Sequence, residues 1–491
     1  MMSDRPSATT ATVESEAPPT TRSLSELLSS TRVQMALLVA VTLFAALLRF
    51  YKLGAWSFWG DEMLTVAGVP DGFNYDLIRQ SLAHTLIELA IRQLGVSEWS
   101  ARLVPALVGV VSVPVLYLPT QKMFGAGVAL LSALLLAISP WHLYWSQNAR
   151  FYTLLLLFYT LALLAFYLAL EEDRPLYLFL SLLFLGLAAR ERLLALFLVP
   201  VLGAYLLLLA LLPVEKPAGF RRLRRLTLLL IPGLLLAAYF AWPYLRHLPD
   251  WFAGFGRINN SPAWLGAGVL YYMRLSTVCL ATGGAVFLLA RSGAPPRRRA
   301  GLLLSLSALL PILALMALAP FHYTANRYVF VTLTSWLILA AVAAVELLRH
   351  AAPDTRWLAA GAVLFLLLDP MGEDTLYYRY QNGNRDDWRA AFALVEARSA
   401  DADQIVTPHD QLAEYYLGRR TVPFSQIDLA QIEGNRQTVW FVEDMTVAEL
   451  YPQAYRWLRG EAELVAVFDV AVQARTFTMR VYRYPPASTS P

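Results

Sequence analysis

Apolar runs, each long enough to cross a bilayer, constrain this chain more than any other feature of its sequence. Candidate spans fall at about 33–51, 103–120, 127–145, 151–170, 175–189, 193–212, 226–245, 267–290, 300–319, 329–348 and 357–369. A helix needs about 20 predominantly apolar residues to cover the ~30 Å hydrocarbon core, and these runs match that length. Residues are 57% hydrophobic and only 15% charged, which soluble domains rarely show. The expected fold is a polytopic α-helical membrane protein with about 11 transmembrane helices. No alternating β-barrel pattern competes with them. The last run, "WLAAGAVLFLLLD", is short enough to be a packed or interfacial helix instead.

Basic residues sit between the runs and read as topology signals. The densest clusters, "PVEKPAGFRRLRR" and "RSGAPPRRR", belong in the cytoplasm by the positive-inside rule. Counting spans from them gives a cytoplasmic N-terminus and puts "QKMFGA", "EEDRP" and "LRHAAPDTR" on the same side. The expected location is therefore a cell (plasma or inner) membrane, crossed many times. The formal net charge of +4 is small and scattered, so nucleic acid is excluded as a partner. The single cysteine, Cys279, excludes an intrachain disulfide.

Three regions follow from composition. Residues 1–31, rich in Ser, Thr, Pro and Ala, read as a disordered cytoplasmic tail. Residues 32–369 form the membrane domain, with a long first outer loop at 52–100 carrying interfacial helices. Residues 370–491 read as a small extracytoplasmic soluble α/β domain, with a helix in "RDDWRAAFALVEARSA" and strands in "DQIVTP", "QTVWFVED", "ELVAVFDVA" and "FTMRVYRY".

Nearly every unusual polar residue then collects on the outer side, where charges at a membrane edge point to function. "LGAWSFWGDEMLTVAG" places Asp61 and Glu62 just after the first span. Their bland role is helix capping or interfacial solvation. Their chemical role is a general base with a supporting carboxylate, and Trp56, Phe58 and Trp59 suit packing on a sugar ring. In "NYDLIRQSLAHTLIELAIRQLG", Ile78, Leu82, Leu86 and Leu89 share one face, and Gln80, His84, Glu88 and Arg92 the other. That pattern predicts a helix lying on the membrane surface, its polar stripe facing a shared cleft.

"WHLYWSQNARFYTL" contributes Gln147, Arg150 and Tyr152; Arg150 either snorkels to lipid headgroups or binds a phosphate through its planar fork. "FHYTANRYVF" repeats that chemistry with His322, Tyr323, Arg327 and Tyr328. "AARERLL" adds Arg190, Glu191 and Arg192 at a helix-to-helix turn, read as an internal ion pair before a ligand site. No cofactor is required by any motif. A divalent metal on His84, Glu88 and Glu62 is the weaker reading, because a Glu88–Arg92 pair satisfies the same residues.

The Asp-Glu pair, "SEWSARLVPALVG", "SPWHLYWSQNARFYTLLLL", "NRYVF" and "DDWRAAFALVEARSADADQIV", in that order, resemble the bacterial membrane glycosyltransferases of the GT-C superfold. The likeness is nearest to the group related to protein O-mannosyltransferases and lipid A aminoarabinose transferases, and covers nearly the whole chain after residue 33. It implies an inverting transferase that moves a sugar from a polyprenyl-phosphate donor to an extracytoplasmic glycan, lipid or protein hydroxyl. Asp61 would be its base, and Arg150 and Arg327 would map near the lipid phosphate. Relatives commonly carry His-Pro-Pro-Leu where this chain has His84, Thr85, Leu86 and Ile87. They often show Thr-His or Thr-Lys where it has Arg190, Glu191 and Arg192. The alternative function is a transporter or flippase for a lipid-linked or anionic solute, which would need polar residues running on toward the midplane.

Overall fold

The computed structural model describes residues 30–66, 81–222, scattered positions from 232 to 246, and residues 261–320, 324–434, 437–472 and 475–485. His322 and Tyr323 lie outside these described residues, as do Ile78, Gln80 and most of the expected 226–245 span.

The bundle begins with α1 (Thr31–Phe50), followed by three elements of the loop region: α2 (Gly60–Val66), α3 (Leu82–Leu94) and the start of α4 (Glu98–Phe124). Next come α5 (Ala126–Ala137) and α6 (Pro140–Ser146), then α7 (Tyr152–Glu172) and α8 (Pro175–Glu191). Among the described residues, six helices are long and apolar enough to cross a membrane, or eight if each of two bent pairs is one span. Of the eleven expected runs, 226–245 lies mostly outside the described residues, and two others are bent within their length. Ser139 and Pro140 break one run into α5 and α6, bent by 57°, and a second run breaks at Arg274 with a 92° bend. Helix α8 has only 17 residues.

Helix α7 and the segment Asn326–His350 are the most enclosed of the spans. Thr160 of α7 pairs with Thr334 at 2.9 Å, and Ser335 pairs with Ser307 of the helix Pro295–Leu318 at 3.0 Å. In a hydrocarbon surrounding an unpaired hydroxyl would be costly.

The helix Arg356–Arg379 runs straight through Pro370, so the domain boundary expected there falls inside a helix. Packing explains the extension: Tyr377 and Tyr378, near its end, are buried against Trp56, Leu143 and Tyr144. The α/β unit proper starts with the helix Trp388–Arg398, capped by Asp387, which accepts a bond from Ala390 N. Its strands are β1 (Gln404–Thr407), β2 (Val422–Pro423), β3 (Val439–Glu443), β4 (Glu463–Phe468), β5 (Ala471–Val472), β6 (Arg475–Thr476) and β7 (Met479–Tyr484). The main sheet has the order β2-β1-β3-β7-β4. β1 lies parallel to β2 and β3, whereas β7 lies antiparallel to β3 and β4. Thus β7 is interior, and β2 and β4 form the two edges. The sheet's buried face joins Trp440, Val442 and Val481 to Phe58 and Met63 of the first loop, so the unit is seated on the segment that carries Asp61.

Candidate active site

Asp61 and Glu62 are neighbours in sequence but face opposite ways from the first turn of α2. Glu62 is fully buried, and Arg102 of α4 grips it with two bonds, Nε to Oε1 at 2.8 Å and Nη2 to Oε2 at 2.7 Å. Ala149 N donates to Oε1 at 2.8 Å, and Arg385 Nε stands 3.7 Å from Oε2. Burial alone would push the Glu62 carboxyl up, but Arg102 and then Arg385 outweigh it and hold the group ionised, below the usual range. Arg102 spends its remaining donors on the carbonyls of Leu53, Trp56 and Ser57. Glu62 therefore bolts the loop to α4 and to the "SQNAR" turn. Its expected catalytic support does not hold, because the carboxylate is sealed from solvent and held by Arg102 and Ala149 N.

Asp61 is half-buried and looks into a cluster of guanidiniums. Among the described residues its carboxylate makes one ion pair, Oδ2 to Arg327 Nη2 at 4.0 Å. Arg150 Nη1 donates to the Asp61 main-chain carbonyl at 2.7 Å and to Thr65 Oγ1 at 3.2 Å, and Thr65 Oγ1 lies 3.2 Å from His84 Nε2. Phe151 is the hub of the cluster: the Arg192 guanidinium lies 4.7 Å and that of Arg150 5.4 Å from its ring centre, and the His84 ring 6.2 Å. Burial would raise the Asp61 pKa, but Arg150, then Arg327, Arg192 and His409 prevail and hold it below the ordinary carboxylate range. Asp61 is thus an ionised carboxylate that no strong bond consumes.

His84 is buried, and burial with the nearby Arg150 and Arg192 pushes its pKa down to about 2, so the imidazole is neutral. Arg150 is 5% exposed, which rules out a side chain snorkelling to headgroups. Arg150 Nε and His84 Nδ1 are buried with no hydrogen-bond partner among the described residues. Buried polar atoms are nearly always bonded, so orphans within one cluster point to a ligand that completes them.

Several expected site residues serve other ends. Gln147 is fully buried and donates to the carbonyls of Arg49 at 3.0 Å and Tyr51 at 2.8 Å, while Oε1 accepts from Tyr377 at 2.8 Å. It locks the end of α1, which leaves nothing for substrate. Glu88 is exposed and pairs with Arg92 at 2.5 Å, so the polar stripe splits, with only His84 turned inward among its described residues. The metal set of His84, Glu88 and Glu62 is dismantled by the same two ion pairs, Glu88 to Arg92 and Glu62 to Arg102. Trp56 and Phe58 are buried, the first against Tyr377 and the second against Tyr415, so neither can face a sugar.

Glu191 caps α3: it accepts from Ser81 Oγ at 2.5 Å, Leu82 N at 3.0 Å and Ala83 N at 3.2 Å. That cap at a helix N-terminus is its role, and beside it Arg192 turns to Phe151. Arg190 lies at the same turn, where its charge acts on Glu191. Tyr152 is buried on Trp145, ring centres 3.9 Å apart, and Arg327 stands over the ring of Tyr328 at 5.7 Å.

Sequence reasoning missed Arg102, Arg385 and His409. A signal existed for Arg102, a charge at the start of an apolar helix in "SEWSAR". None existed for Arg385 or His409, which reach Glu62 and Gly60 across more than three hundred residues of chain.

Comparison with known proteins bears on the fold. Residues 82–232 match the family model described as dolichyl-phosphate-mannose-protein mannosyltransferase. ArnT from Cupriavidus metallidurans, solved bound to undecaprenyl phosphate, superposes with a TM-score of 0.55 at 15% identity, covering 92% of this chain and 98% of that one. The oligosaccharyltransferase AglB from Archaeoglobus fulgidus, solved with an inhibitory peptide and a dolichol-phosphate, gives 0.55 at 12% identity, covering 91% and 74%. A search of curated proteins finds no significant match. The chain is a multi-pass membrane protein with the GT-C glycosyltransferase fold.

Proposed function

We propose that this protein is an inverting glycosyltransferase that takes a sugar from a polyprenyl-phosphate carrier and delivers it to an acceptor hydroxyl. The observation that carries the reading is the meeting of one loosely held carboxylate, Asp61, with Arg150, Arg192 and Arg327. Asp61 removes the acceptor proton as the hydroxyl oxygen bonds to the anomeric carbon. The bond from that carbon to the phosphate oxygen breaks on the opposite face, and its electron pair leaves with the phosphate. Arginines aimed at that oxygen stabilise the charge developing there, in a site with little water. Neutral His84 and Thr65 orient Arg150. Lipid-phosphate ligands in the ArnT and AglB structures support this donor class. The acceptor is a glycan, lipid or protein hydroxyl.

On this reading the residues of the first loop and the C-terminal α/β unit face the extracytoplasmic side, residues 1–31 are cytoplasmic, and no cofactor takes part. The transporter reading is not favoured, because the family model and the structures this chain resembles are those of glycosyltransferases. The test is sugar transfer from a polyprenyl-phosphate donor in liposomes. Loss of transfer is expected in Asp61→Asn, and full activity there removes Asp61 as the base.

A further inference from the structure

His409 follows β1 on the loop entering the helix Asp410–Leu417, more than three hundred residues from Asp61 in sequence. A Cβ built on Gly60 would meet His409 Cε1 at 3.0 Å and Nδ1 at 3.3 Å, so the imidazole lies directly against the residue before Asp61. Gly60 has no unusual backbone angle that calls for glycine. The close approach of His409 is what requires it.

The ring is held from behind. His409 Nε2 stands 3.3 Å from Asp444 Oδ2, and Asp444 Oδ1 is occupied by Thr446 N at 2.9 Å and Thr446 Oγ1 at 2.5 Å, so the second oxygen is left for the histidine. The edge of Trp388 supports the ring at 5.2 Å. The charged groups acting on His409 are Asp444 at the end of β3, Asp386 ahead of the helix Trp388–Arg398, and Asp61. Asp410, on its own helix, is exposed. Around this point the α/β unit grips the loop: Ser57 Oγ donates to Asp386 O at 2.7 Å, and Phe58 N donates to Tyr416 OH at 2.7 Å.

We propose that His409 is a positioning residue for the base: clamped by Asp444 against Gly60, its imidazolium fixes the first turn of α2 and couples the charge of Asp61 to the seating of the α/β unit. This rests on the functional reading of Asp61 given above. Burial lowers the His409 pKa, but Asp444, Asp386 and Asp61 outweigh it and raise it above 6.5. The imidazolium is thus present at low pH and lost as pH rises through that raised value. The coupling is reciprocal, so removing the Asp61 charge must make His409 easier to deprotonate.

Two measurements on the full chain in detergent test this. In the first, the His409 ring resonance, assigned with His409→Gln, is titrated by NMR. Asp61→Asn and Asp444→Asn are each expected to lower its midpoint by about half a pH unit or more; an unchanged midpoint in Asp61→Asn overturns the proposal. In the second, His409→Gln is expected to lower kcat about tenfold with donor KM unchanged, and to erase the alkaline limb of the pH–rate profile. A wild-type rate and profile overturn it. If the wild-type protein transfers no sugar from any polyprenyl-phosphate donor, the functional reading fails, while the titration still decides the coupling of His409 to Asp61.

Discussion

The two sides of the short helix α2 use the same chemistry to opposite ends. On one side Glu62 is saturated by Arg102 and Ala149 N and sealed from solvent. On the other, the Asp61 carboxylate meets more guanidiniums, the one ion pair it makes among the described residues being to Arg327 at 4.0 Å. A carboxylate bound bidentately in the interior contributes architecture. On the proposed function, one bathed in positive potential stays available to take a proton. Adjacent acids therefore differ in role by orientation alone, with a rotation of about 100° per helical residue separating the two surroundings.

The contrast can be broken most sharply at Asp61. Asp61→Asn is expected to cut kcat by about 10³-fold with little change in thermal midpoint; a stability loss as large as that of a Glu62 variant would erase the distinction. Glu62→Gln should do the reverse. It leaves Arg102 buried beside a neutral amide, costing about 3 kcal/mol or more, read as a lower unfolding midpoint in detergent. Arg150→Ala should weaken binding of polyprenyl phosphate about 30-fold, and unchanged binding would return this arginine to a structural role.

Acid should also separate the pair. The folded-state pKa of Glu62 lies below its ordinary 4.5, so its stabilisation is present above that value and lost as pH falls through the lowered one. Glu62→Gln should flatten the acid side of the stability curve. His84, with a pKa near 2, should add no limb to the pH–rate profile near neutrality. The smallest effect belongs to Glu88→Ala, expected to leave activity unchanged because its pair with Arg92 is exposed.

Much of this was legible in the chain. Apolar runs announced the helices, and alternation announced the strands of the α/β unit, because each pattern is local. Bends were not legible: hydropathy is continuous across Ser139 and Arg274, and only the backbone there reveals the change of direction. Helix α3 was assigned the wrong faces for a physical reason. Near a membrane an apolar side chain gains little from burial, so Leu89 is 53% exposed while His84 is tucked against Phe151. Asp61 was found from its neighbours, and Arg192 was found as a residue though not as part of the cluster. Arg385 and His409 were invisible, because what gives each its role is a partner brought in by the fold.

The bond from Arg150 to the main-chain carbonyl of Asp61 has a genetic corollary. On the proposed function, the base sits on a peptide unit to which the anion-binding Arg150 is hydrogen-bonded, so a lesion that tilts that peptide displaces both. Alleles in residues 60–65 should therefore show acceptor and donor defects together. A screen for variants with altered acceptor preference and intact donor use should return changes elsewhere, in the α/β unit that overlies the loop.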